Sequence, residues 1–424
     1  MNFRLATTCV ATLLTITALS TVNAENWNQY RGPNGNGISS AANLPIEFSE
    51  TKNVRWKVSI HDRGWSSPAV WGDMIWLTTA RADGSELFAV CVDFETGDII
   101  HDIKVFDVSN PKVGWPGQNT YADPTPVVEE GRVYVHYGKY GTACLDTKTG
   151  EKLWERRDFQ IDHMIKPASS PMVDGDMLFL NYDGIDIQFT VALDKNTGET
   201  IWKKGRVVPS TVPSREEKLG ELAKDTGKPP DHRKAYGTST IIEHEGRRQL
   251  ISPAGEVTYS YDPETGEELW HVVHEGWGWN SACRPIYANG LVYFTEGASN
   301  YMVAVDPSGT GGVTKSHVVW GTGDRMPNMS SPVVVGDLLF IMNDKGGSMT
   351  CLDAKTGERI WRNRIPGGGT HWASPLYADG KIYVTSKNGS VVVISAAREL
   401  EVLAENELEA EFIASPAVVG DALL

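Results

Sequence analysis

The residues of this chain with chemistry to offer are one arginine, a set of tryptophans and aspartates, and two isolated histidines. Arg284 stands at the start of a strand, where Ser331 and Ser374 stand in related segments. An arginine facing a channel is an anion ligand, and the plainer alternative is a salt bridge to a neighbouring loop carboxylate. Trp65, Asp123 and Trp372 share one register just before a Ser-Pro or Thr-Pro pair, and Met329 and Ile413 share it too. That register suggests a ring around a channel, part binding surface and part packing. His163 and His371 could be acid–base groups or metal ligands. Each is isolated in sequence, which equally suits a histidine satisfied by its own fold. Asp183 and Asp186 could help to hold Ca²⁺, although Asp-Gly-x-Asp in a β loop is also a common turn. Trp277 and Trp279 lie just upstream of Arg284 and could form an aromatic floor. The sequence has no Gly-x-Ser-x-Gly, no Cys-x-x-Cys-His and no histidine pair at zinc spacing, so no hydrolase, haem or zinc signature is present.

The elements that must position these residues are repeats. Asp-x-x-Thr-Gly-Glu, an apolar residue and Trp recur at Asp146–Trp154, Asp194–Trp202, Asp262–Trp270 and Asp353–Trp361, with weaker copies at Asp93 and Asp306. Upstream lies Ser-Pro-x-Val-x-Gly-Asp, at Ser67, Ser170, Ser331 and Ser415, with a variant at Ser374. Pro126 to Pro171 is 45 residues, Pro332 to Pro375 is 43, and Pro375 to Pro416 is 41. That period with four short β-rich runs per unit predicts blades of a β-propeller. Counting first strands predicts an eight-bladed, all-β propeller over residues 54–424. The last blade is apparently truncated, and the segment Val54–Ile60 closes it as an orphan fourth strand. The repeat tryptophan is expected to pack between adjacent blades, with its indole N–H on a neighbouring carbonyl. The long fourth-to-first and second-to-third loops are expected on one face, around the channel mouth.

These phrases resemble the repeats of the pyrroloquinoline-quinone (PQQ) β-propeller family, over nearly all of the chain after residue 50, and most of all its uncharacterised secreted bacterial members. The resemblance implies three kinds of function: a non-catalytic binding or scaffolding module, a quinoprotein dehydrogenase, or an outer-membrane protein assembly factor. A PQQ enzyme of this family clamps its quinone between a tryptophan and a disulfide of adjacent cysteines, and it coordinates Ca²⁺ beside an aspartate base. Carried to this chain, Trp65, Trp277, Trp279, Trp372 and His371 would be cofactor contacts and Arg284 a carboxylate ligand. Asp183 and Asp186 would hold the metal, and Asp123, Asp186 or His163 would be the catalytic group. This chain has no Cys-Cys pair. PQQ and Ca²⁺ are therefore possible cofactors that the sequence does not establish.

A net charge of −15 argues against nucleic acid as a partner. A protein, peptide, glycan or small molecule at the channel mouth fits better, on a monomer. Residues 1–24 read as a signal peptide: Arg4, a mostly apolar stretch to Leu19, then Val22-Asn23-Ala24. Residues 25–53 read as an N-terminal extension. The expected location is periplasmic or extracellular, with no transmembrane segment. Cys91, Cys144 and Cys351 share one repeat position and are expected as small core residues without disulfides.

Overall fold

In the computed structural model, residues 26–111, 119–163, 166–184, 186–206, 234–274, 281–297, 300–323 and 325–424 are described. Their regular structure is all β apart from a single helical turn at Gly138–Tyr140. Each repeat folds into an antiparallel sheet whose strands neighbour one another in chain order. Val333–Val335, Leu338–Met342, Ser348–Asp353 and Arg359–Arg364 form one such unit. Seven units of this kind are present among the described residues, followed by a hairpin of Val418–Val419 and Ala422–Leu423. No helix among the described residues is long and apolar enough to cross a membrane.

Local chemistry explains the repeat phrase. The Asp146 carboxylate accepts the N–H groups of Lys148 and Thr149 and the Thr149 hydroxyl, and Asp194 and Asp262 do the same in their turns. These bonds satisfy the turn amides, and they hold the Asp146 and Asp194 carboxylates below their usual range. The fourth strand then carries a bulge: Cys144 pairs with Trp154 and Leu145 with Lys152, so Leu153 is the extra residue. The bulge turns Leu153 outward and the indole toward the next sheet. Trp154, Trp202, Trp320 and Trp361 each donate Nε1–H to a backbone carbonyl of the following unit: Lys195, Pro263, Ala354 and Ala397. The motif glycine has two reasons to be glycine. Gly198 has φ +75°, and a Cβ there would lie 2.7 Å from the Trp154 ring. In the first unit His101 takes the tryptophan's place, with Nε2 3.1 Å from the Thr147 carbonyl oxygen.

A second feature joins the units near the axis. The residue before each inner-strand proline passes its N–H to the hydroxyl at the same position in the next unit. Ser67 donates to Thr125, Thr125 to Ser170 and Ser170 to Thr238; Arg284 donates to Ser331, Ser331 to Ser374 and Ser374 to Ser415. Ser415 donates back to Ser67 at 3.0 Å. This belt links the two ends of the chain.

Residues 54–60 were expected as a fourth strand. They form no ladder among the described residues. Trp56, Val58 and Ile60 nonetheless pack against a cluster that includes Val70, Val92 and Val418. Trp56 Nε1–H donates to the Phe94 carbonyl, the same bond the repeat tryptophans make. A short parallel pairing lies elsewhere, between Ile38–Ser39 and Leu376–Ala378. The four cysteines after residue 90 are buried and unpaired. Burial pushes the Cys91, Cys144, Cys283 and Cys351 thiols up to about 12.

Candidate functional site

Two residues before each belt position lies a wall residue, and the walls enclose a cavity of about 230 Å³. Trp65, Asp123, Tyr236 and Trp372 supply its polar and aromatic sides, and Ala168, Ala282, Met329 and Ile413 its apolar ones. Ser67, Thr125, Ser170, Thr238 and Ser415 of the belt line it as well. The register seen in the sequence thus brings Trp65, Asp123 and Trp372 together. The Trp65 and Trp372 rings are tilted by 54° with centroids 6.0 Å apart. Lys387 Nζ stands 4.9 Å from the Trp372 ring, close enough for a cation–π contact.

Asp123 is half-buried in the wall. Its Oδ1 accepts both the Thr120 N–H and the Thr120 hydroxyl, which leaves Oδ2 for the cavity. Burial pushes its carboxyl up to about 7, against the pull of the Thr120 bonds and Lys166. The folded protein therefore holds a proton that the unfolded chain has already released. The resulting destabilisation grows from about pH 3.8 to about pH 7 and is complete above that range. Asp123→Asn is expected to remove this component. Urea midpoints at pH 5 and pH 8 should show a smaller loss of stability toward pH 8 in the variant than in the parent.

The floor of the cavity comes from the N-terminal segment. Trp27 and Asn28 accept backbone bonds from Val70 and Val128, and Gly37 accepts one from Tyr377. The Tyr30 hydroxyl lies 3.2 Å from Ser374 Oγ. With Arg31 bonded to the Ser331 and Pro332 carbonyls, residues 27–37 run across the channel from the inner strands of the first and second units to those of the sixth and seventh. Arg284, expected to face the channel as an anion ligand, is 1% exposed beneath this floor. It donates to the Tyr30 carbonyl, Gln29 Oε1 and Thr240 Oγ1. Arg31 is equally buried and donates to the Ser331, Pro332 and Asn36 carbonyls. Burial lowers Arg31 to about 10 and Arg284 to about 9. The expected anion contact is thus replaced by the chain's own carbonyls. Gly35, at φ +64°, would drive a Cβ into the Arg284 guanidinium. Sequence reasoning missed Tyr30, Arg31 and Gly35. The available signal was the run Arg31-Gly-Pro-Asn-Gly-Asn-Gly37, which is glycine-rich at the spacing of a tight crossing.

His371 does not reach the cavity. It is 1% exposed with Nδ1 2.9 Å from the Thr385 carbonyl oxygen, so Nδ1 carries the proton, and burial lowers its pKa. Asp344, also unforeseen, accepts the N–H groups of Asn328 and Met329 and fixes the wall residue Met329. His163 and Asp183 meet in a separate small polar cavity with Lys234, Asn181 and His136. The Lys139 N–H donates to His163 Nε2, and Lys234 Nζ lies 3.1 Å from His163 Nδ1. Asp183 faces Arg206 at 3.4 Å, and burial pushes its carboxyl up to about 6 despite that cation. Asp186 is exposed, and its Oδ1 accepts the Asp162 N–H. Asp183 and Asp186 are therefore committed to different partners and do not form the expected Ca²⁺ pair. Trp277 and Trp279 lie outside the described residues.

Comparisons with known proteins agree with this architecture. A family model described as outer membrane protein assembly factor BamB matches residues 47–229 and 188–423. A quinoprotein ethanol dehydrogenase of Pseudomonas aeruginosa is 24% identical over 284 residues, 62% of this chain and 38% of the relative. One from Pseudomonas putida is 25% identical over 150 residues, 34% of this chain and 22% of the relative, so these matches span less than half of either enzyme. Among solved structures, a europium-containing methanol dehydrogenase superposes with a TM-score of 0.64 at 14% identity, over 92% of this chain and 87% of that one. BamB from Moraxella catarrhalis superposes with a TM-score of 0.56 at 15% identity, over 86% and 94%. At these identities the structural likeness establishes the fold, a β-propeller.

The described cavity lining does not fit a calcium-bound quinone. It offers one carboxylate, Asp123, and no lysine or arginine to meet the quinone's own carboxylates. Among the described residues no group of three or more His, Cys, Asp or Glu could hold a metal ion. The two tryptophans are tilted to each other, and no adjacent cysteines exist to complete a clamp.

Proposed function

The chain belongs to the PQQ-like repeat family whose model is described as outer membrane protein assembly factor BamB, and on that premise we propose that it is a secreted, non-catalytic binding propeller. Its ligand would sit in the cavity of the channel mouth. The observation behind this reading is that successive repeats each contribute one wall residue, while the chain's own N-terminal segment blinds the channel below them. A blind, aromatic-walled pocket with a few placed polar groups suits binding. The described lining supplies one carboxylate and no second charged group for chemistry.

The finer architecture belongs to the same proposal. We read eight blades from the eight belt positions, and residues 54–60 as the outer edge of the last blade because of the Trp56 docking bond. The leader-like residues 1–24 support a place in the periplasm or outside the cell, and the monomer is part of the same proposal.

The test is native mass spectrometry with an absorbance spectrum of the protein from its own source, beside Trp372→Ala. A retained non-quinone mass that is lost in Trp372→Ala is the expected result. Dye-linked alcohol oxidation after addition of PQQ and Ca²⁺, abolished by Asp123→Asn, would replace this reading with an enzyme. Specific retention of an outer-membrane assembly protein that survives Trp372→Ala would favour the role named in the family description.

A further inference from the structure

Resting on the binding reading above, we infer that the cavity takes a neutral pyranose, free or at the end of a glycan. The inference is carried by the direction of the belt's hydrogen bonds. Ser67, Thr125, Ser170, Thr238 and Ser415 line the cavity, and each hydroxyl oxygen accepts the N–H of the preceding unit. No further hydrogen bond of these five hydroxyls occurs among the described residues. Each therefore keeps its own O–H proton to give, and the belt presents a set of donors in the lining. A ligand matched to that belt carries several oxygen acceptors.

The walls select what else the ligand carries. Trp65 and Trp372 are half-buried in the lining, with ring centroids 6.0 Å apart and planes tilted by 54°. They suit a ring with apolar C–H faces that are not themselves flat. Asp123 Oδ2 is available to accept from a ligand hydroxyl. A pyranose combines all three: oxygen acceptors, hydroxyl donors and C–H faces.

Charge separates this ligand from the nearest alternatives. A cation seeking an aromatic cage would find Lys387 already 4.9 Å from the Trp372 ring, and Arg284 beneath the floor. An anion would meet Asp123 with no lysine or arginine in the lining. A neutral polyhydroxy ring incurs neither repulsion.

The test is a tryptophan-fluorescence titration of the full chain. The probes are D-glucose, D-mannose and N-acetyl-D-glucosamine, with choline as the cation and D-glucuronate as the anion. At least one neutral sugar is expected to saturate the signal. Trp372→Ala and Asp123→Asn should each weaken it by about tenfold, whereas Trp65→Phe, which keeps an aromatic face, should weaken it less. A β-1,4-linked glucose trimer binding more tightly than its monomer assigns the site to a chain end, and equal affinity assigns it to free sugar. Choline or glucuronate binding more tightly than every neutral probe overturns the inference, as does silence from all neutral probes. The two readings fail separately. A native ligand that depends on Trp372 but is not a sugar leaves the binding module standing, and a native ligand indifferent to Trp372→Ala removes the module as well.

Discussion

Arg284→Ala is expected to destabilise the protein by about 4 kcal/mol and to release the N-terminal segment from the channel. The guanidinium is 1% exposed and joins three partners from two remote parts of the chain: the Tyr30 carbonyl and Gln29 Oε1 in the N-terminal segment, and Thr240 Oγ1. Hydrogen bonds to a charged donor contribute about 1.5–3 kcal/mol each, and the buried acceptors left behind carry a desolvation cost. These contributions are not additive, because one side chain makes all three. Water entering the vacated space would offset part of the loss. No carboxylate pairs with this guanidinium among its described contacts, so its own burial is costly, and that is what lowers it to about 9. Arg284→Met should therefore cost less than Arg284→Ala, because it fills the volume without burying a charge.

Two measurements check this. Urea denaturation gives the order parent, Met variant, Ala variant. Limited trypsin digestion reads the segment directly, since Arg31 is 2% exposed in the intact protein. Cleavage after Arg31 should become fast in Arg284→Ala while the repeats remain protected. An Arg284→Ala variant as stable and trypsin-resistant as the parent would show that the segment is held without it.

Trp270→Ala should cost about 4 kcal/mol, in the range for removing a fully buried tryptophan. Trp270 differs from its repeat counterparts. It is 0% exposed, and its Nε1–H donates at 2.7 Å to Gln249 Oε1 in its own sheet, not to the next one. Gln249 is buried as well; it accepts the Ser260 hydroxyl and donates to the Pro307 carbonyl. Removing the indole opens a cavity among Ile242, Val272, Val292 and Phe294 and withdraws one donor from the amide. Trp270→Phe should cost less, because most of the ring volume stays. Trp154→Ala should also cost less, since that indole is half-buried at the outer edge. Urea midpoints for the three variants give the ranking, and equal losses for Trp154→Ala and Trp270→Ala would refute it.

These two expectations also separate what could be read along the chain from what could not. The strand order, the carboxylate-capped turns and the outward-bulged fourth strands follow from short-range chemistry. In Asp146–Trp154 every determining contact within the turn spans a few residues, so its pattern is written locally and repeats wherever the phrase repeats. The wall register of Trp65, Asp123 and Trp372 was visible for the same reason. Equal distance from a repeated Ser/Thr-Pro implies equal height on equivalent strands.

The sequence alone thus determined the β-propeller repeat and the shared register of Trp65, Asp123 and Trp372. Tertiary structure alone decided where the other candidate residues point. Arg284 turned inward because Tyr30, 254 residues away, brings a carbonyl to it. His371 turned to Thr385, and Asp183 turned to Arg206 and away from Asp186. The physical reason is common to all three. A local pattern sets backbone hydrogen bonds and the side of a strand that is buried, whereas the partner of a buried polar group depends on which remote segments arrive beside it as the ring assembles.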